Sequence, residues 1–176
     1  MRASAYALAA ALCAVPALAA AQNPVSDAFR SFEKQHAEWL NASIEAFPAA
    51  KLGYKPTAAQ MTVRAIAEHL SGGNDFFCSA IGGVPAPQRE KLPATATKEQ
   101  LVARLRDTFQ FCDSALAKLT DAQLPDSVQG FRGKTTRAEL LISSVGDWAD
   151  HYSQLANYLR LNGMLPPSAH PRRGGM

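Results

Sequence analysis

Helical periodicity, repeated four times and broken each time by proline or glycine, constrains this chain more than any other feature. The first stretch runs from Pro24 to Phe47, where Phe29, Phe32, His36, Trp39, Leu40 and Phe47 recur at spacings that place them on one face. Pro48 ends it, and a break from Ala49 to Thr57 carries Gly53 and Pro56. The second begins near Thr62, an N-cap residue, and its inner face holds Ile66, His69, Leu70, Gly73 and Phe77 until Gly82-Gly83 stops it. The third opens with Thr97-Lys98-Glu99-Gln100, a capping box, and carries Leu101, Leu105, Phe109, Cys112 and Leu116. After a polar link from Thr120 to Phe131, a second capping box at Thr136-Arg137-Ala138-Glu139 starts the fourth. Asn162-Gly163 and the following Pro166-Pro167 end it. No convincing strand is present, so the sequence predicts an all-α fold, a four-helix bundle.

The connection between the second and third helices, from Gly82 to Ala96, contains Pro85, Pro87 and Pro93 and is long for a hairpin turn. Such length suits a crossover along the bundle. Cys78 and Cys112 lie nearly the same distance past the caps Thr62 and Thr97, about 23 Å at 1.5 Å per residue. They are level only if the middle helices run parallel, which a long crossover allows. A Cys78–Cys112 disulfide is therefore expected, the alternative being two separate buried thiols.

Disulfide formation agrees with the N-terminus. Met1-Arg2 is followed by an uncharged Ala, Leu and Val run from Tyr6 to Ala20, and small residues Ala19-Ala20-Ala21 precede Gln22. That order is a secretory signal peptide over residues 1–21, cleaved near Ala21-Gln22, with a periplasmic or secreted product. The run is short for a permanent membrane anchor, and Cys13 sits inside it, where a lipoprotein cysteine would not. The bundle domain is expected over residues 22–167 and a disordered tail over 168–176. The formal net charge of +3 is spread thinly, and Arg172-Arg173 in the tail is the one dense basic cluster. This excludes an evident nucleic-acid interface.

Four histidines are present. His170 falls in the tail. His36 lies on the apolar face of the first helix, where a core histidine with one satisfied nitrogen is the ordinary arrangement. Asp147 and His151 are one helical turn apart and share a face, the spacing at which a helix offers two ligands to one ion. Imidazole nitrogen and carboxylate oxygen both suit zinc, nickel or iron. His69, on the facing helix, would supply a third ligand, and Gly73 one turn on would leave space beside the ion. The plainer alternative has Asp147 accepting a hydrogen bond from His151, with His69 an ordinary buried histidine.

Two segments resemble the DinB-like superfamily. One is Met61-Thr62-Val63-Arg64-Ala65-Ile66-Ala67-Glu68-His69-Leu70. The more specific is Asp150-His151-Tyr152-Ser153-Gln154 continuing through Tyr158-Leu159-Arg160-Leu161-Asn162-Gly163 to Pro166-Pro167. The resemblance implies an up-down-down-up bundle with parallel middle helices. It also implies a divalent metal, most often zinc or nickel, held by three histidines, one on the second helix and two in a His-x-x-x-His on the fourth. His69 and His151 match the outer positions, whereas Asp147 stands at the middle one and Ser153 replaces a glycine. A two-histidine, one-carboxylate set also suits iron(II).

Two functions follow as expectations. By resemblance, the chain would be a metal-dependent, thiol-dependent transferase or a hydrolase of a small molecule. The alternative is a non-enzymatic periplasmic module that binds a metal or small ligand. No independent nucleophile is evident, since Ser143 and Ser144 lack an adjacent base pattern. The resemblance further implies dimers. The aromatic first helix (Phe29, Phe32, Trp39) could serve either such an interface or the core.

Overall fold

Capping chemistry sets the helix boundaries. The computed structural model describes residues 22–170, with α1 spanning Pro24–Ala46, α2 Val63–Gly82, α3 Lys98–Leu116 and α4 Arg137–Leu161. Thr62 Oγ1 accepts from the Ala65 N–H at 3.1 Å. Reciprocal capping boxes close the starts of α3 (Thr97 with Gln100) and α4 (Thr136 with Glu139). The start of α1 is capped from a distance: the Asp121 carboxylate accepts from the backbone of Val25 and Ser26 and from the Ser26 hydroxyl. These bonds outweigh the cost of desolvation and hold the Asp121 carboxyl below its ordinary value. The C-terminal cap of α2 is Gly83, whose φ of 69° is left-handed.

Contacts between helix ends fix an up-down-down-up order. Lys98, at the start of α3, donates to the carbonyls of Glu45 and Phe47 at the end of α1. Arg137, at the start of α4, reaches the Ile81 carbonyl at the end of α2. Helices α2 and α3 run parallel, with Arg64 bonded to Ala96 near their starts and Asn74 to Thr108 at mid-height. Toward their ends, Cys78 and Cys112 form a disulfide with Cα atoms 5.0 Å apart. A Cβ placed on Gly82 would lie 2.5 Å from the Ala115 carbonyl oxygen, so only glycine permits this approach. The crossover between them is held down by Arg89, whose Nε lies 2.8 Å from Asp75 Oδ2.

The core is the shared inner face of all four helices, with Leu40, Ile66, Leu105, Trp148 and Leu155 fully buried. One polar chain crosses it. Trp148 Nε1 donates to Asn74 Oδ1 at 2.8 Å, Asn74 Nδ2 donates to Thr108 Oγ1 at 3.1 Å, and Thr108 donates to the Leu105 carbonyl. Phe29 is buried and stacks on Trp148, while Phe32 and Trp39 pack partly buried against the same core.

Two features depart from the sequence reading. The polar link includes a hairpin, β1 (Ser127–Gly130) paired antiparallel with β2 (Gly133–Thr136). Its strands are four residues each, too short for alternation to register as a pattern. Secondly, the tail does not begin at 168. A 3-10 turn over Pro167–Ala169 follows Pro166, and the Ser168 N–H donates to the Tyr152 hydroxyl at 2.9 Å. The expected signal peptide, with Cys13, and Arg172-Arg173 lie outside the described residues. Among the described residues no helix is long and apolar enough to cross a membrane.

Candidate metal centre

Trp148 points inward on α4 and is locked by Asn74 of α2. Its neighbour Asp147 is thereby turned toward the seam between α2 and α4, and His151, one turn on, follows it. His69 approaches from α2. His69 Nε2 lies 3.0 Å from Asp147 Oδ1, and His151 Nε2 lies 3.5 Å from the same oxygen. The imidazole rings meet edge to face with centroids 4.7 Å apart. Among the described residues, these three form the one group of histidine, cysteine and carboxylate side chains that could hold a metal ion, their ligand atoms all within 4.8 Å.

Burial grades across the cluster. The His151 side chain is 8% exposed, Asp147 20% and His69 47%. His69 is therefore a rim residue, not the buried inner-face histidine the periodicity suggests. The plainer alternative of an ordinary buried histidine fails for it. Desolvation opposes ionisation of Asp147, but hydrogen bonds to His151 and His69, and their charges, outweigh it and hold the carboxyl below its ordinary value. Asp147 is thus an anion, as a ligand must be.

The residues fit a divalent metal. Ligand atoms around a tetrahedral ion with bonds of about 2.1 Å stand about 3.4 Å apart, close to the 3.0 and 3.5 Å that separate the two imidazole nitrogens from Asp147 Oδ1. Asp147 Oδ2 is buried with no hydrogen-bond partner, a state that costs about 1–3 kcal/mol and that a cation would relieve. His151 Nδ1 is likewise buried without a partner. Gly73 adds to the fit, because a Cβ there would sit 3.6 Å from Asp147 Oδ2.

His36 stands apart. It is buried, its Nδ1 is 3.0 Å from the Phe32 carbonyl, and its ring stacks on Phe32 at 3.8 Å. Burial lowers its pKa despite that backbone bond, so it is a neutral core histidine. His170 follows the 3-10 turn at the end of the described chain.

The sequence reading missed the wall beside the cluster. Phe77 lies 3.9 Å from the same Gly73 Cβ position, and Phe131, at the hairpin tip, packs edge-on against Phe77 at 5.3 Å and stacks on Phe76 at 3.8 Å. Phe131 is 68% exposed. The Gly130-Phe131-Arg132-Gly133 run is the signal that could have revealed it.

The fold and site together define an up-down-down-up helical bundle with a histidine–carboxylate–histidine cluster, able to hold a metal ion, between its second and fourth helices. The chain belongs to the DinB superfamily, which matches over residues 31–155. Among curated proteins none matches. Of solved structures, a DinB-like protein from Bacillus subtilis superposes with a TM-score of 0.66 at 20% identity, covering 82% of this chain and 99% of the other. A DinB-like protein from Bacillus cereus gives 0.68 at 15% identity, with 82% and 97% covered. A mycothiol-dependent maleylpyruvate isomerase gives 0.58 at 12% identity, with 74% of this chain and 60% of that one covered. These likenesses establish the shared fold.

Proposed function

We propose that the protein is an exported, divalent-metal-dependent enzyme acting on a small molecule by thiol-dependent transfer or by hydrolysis. The observation that carries this reading is the meeting of His69, Asp147 and His151 at ligand spacing, with an orphaned carboxylate oxygen among them. His69, Asp147 and His151 would hold the ion, zinc or nickel first and iron(II) next. When bound, such an ion lowers the pKa of water toward neutrality or fixes a thiolate.

The chain's own residues supply the rest. His151 and Asp147 are held by helix packing, and Trp148 is pinned to Asn74, so two ligands are preset before any ion arrives. Gly73 carries no side chain beside Asp147, and His69 stands half exposed at the rim of the cluster, leaving the outward side open. Phe131, exposed and backed by the buried Phe77, offers an apolar surface on which the body of a substrate would lie. The thiol-dependent activity is that of the similar isomerase, and the disulfide suits an oxidising compartment.

The test is turnover by the mature protein loaded with zinc or nickel, on a panel of electrophiles with low-molecular-weight thiols and on small esters. Activity abolished in His69→Ala supports the proposal. Tight metal binding with no turnover across the panel would overturn the enzymatic part and leave a metal-binding module.

A further inference from the structure

On the side of the bundle away from the metal cluster, α1 and α3 frame a groove of about 560 Å³. Glu33 lines it and is 2% exposed, yet among the described residues it has neither a hydrogen-bond donor nor an ion-pair partner. Burial, with the Asp113 charge, pushes its carboxyl up to about 7, against a smaller pull from Lys34. Two turns along, Asn41 also lines the groove. Its Nδ2 is committed to the Ala37 carbonyl at 2.7 Å, which fixes the amide orientation and leaves Oδ1 buried without a donor. Two residues that line one groove thus each carry an unmatched acceptor.

Neither can be matched by the cations nearby. Lys34 pairs with Asp113 at 3.4 Å, and Arg106 pairs with Glu45. Glu38, which also lines the groove, adds a further negative charge. Between Glu33 and Asn41 the wall is Ala37, and Phe109 faces it from α3, so the middle of the groove is small and apolar.

From the buried, partnerless Glu33 carboxylate and Asn41 oxygen we infer that this groove binds an elongated organic cation, a primary alkylammonium. One nitrogen is placed at Glu33 and a second N–H donor at Asn41. Eight residues of helix rise about 12 Å, a span suited to a linear diamine with an alkyl middle over Ala37 and Phe109. The inference does not rest on the metal centre.

Isothermal titration of the mature protein with 1,8-diaminooctane, against octane-1,8-diol of the same length, tests it. Saturable one-to-one binding of the diamine is expected, weakened about tenfold or more in Glu33→Gln and less in Asn41→Leu. His69→Ala should bind as the wild type does. Glu33→Gln keeps the side-chain shape, and circular dichroism verifies its fold. No saturable binding by the wild type overturns the inference, as does equal binding of the diol or an unchanged affinity in Glu33→Gln. If that variant proved unfolded, the diol comparison and Asn41→Leu would decide alone.

Discussion

Glu33 makes the stability of this protein depend on pH in a direction opposite to that of most carboxylates. Its folded-state pKa of about 7 lies above the ordinary glutamate value of 4.5, so between those values the native state holds a proton that the unfolded chain has lost. The native state then binds more protons, and stability falls as pH rises through this window. At 1.36 kcal/mol per pH unit the full interval comes to about 3 kcal/mol, of which about 2.5 kcal/mol falls between pH 5 and pH 8. Glu33→Gln cannot ionise, so it should lose none of this. Urea unfolding of both proteins at pH 5 and pH 8 isolates the effect, because every other titrating group cancels in the difference. The variant should gain about 2.5 kcal/mol on the wild type between the two pH values. A difference that stays constant would refute the reading of Glu33 as a partnerless buried acid.

Three further outcomes are expected. Asn74→Ala should cost about 2–3 kcal/mol in urea unfolding, because Trp148 Nε1 and Thr108 lose their shared partner inside the core. Replacing Cys78 and Cys112 together by alanine removes a crosslink between residues separated by 34 positions. It should cost about 4 kcal/mol in the chain-entropy account and lower Tm by roughly 10–15 °C in calorimetry. Gly82→Ala should destabilise by about 1–3 kcal/mol, since its Cβ meets backbone on α3 that cannot swing aside. Full stability in that variant would contradict the close parallel approach of α2 and α3.

Much of the architecture could be read from the residues because it is written locally. Thr62, Thr97 and Thr136 each cap the helix they announce, and the matching heights of Cys78 and Cys112 suit parallel middle helices. The same local signals brought His69, Asp147 and His151 to one place. What the sequence concealed depends on contacts between distant segments. Asp121 caps α1 from far along the chain, and nothing around Pro24 announces it. Periodicity put His69 on the inner face, yet it sits at the seam where α2 meets α4, and only the packing angle decides how much water reaches it. The hairpin escaped notice because four-residue strands rich in Gly and Thr read as a polar link. Phe131, the exposed aromatic it carries toward the cluster, was hidden with it. Glu33 carries no signal of its own in the sequence, and its burial follows from where α3 lies.

The central claim is that His69, Asp147 and His151 together hold one divalent ion. Elemental analysis of the mature protein, purified without an affinity tag and equilibrated with zinc or nickel, tests it most directly. The account predicts about one ion per chain in the wild type, lost in His69→Ala and His151→Ala, with affinity falling in Asp147→Asn by more than the roughly 10- to 100-fold that loss of an outer-shell partner costs. A wild-type protein that takes up no metal, or a His69→Ala variant that keeps its full complement, would contradict it.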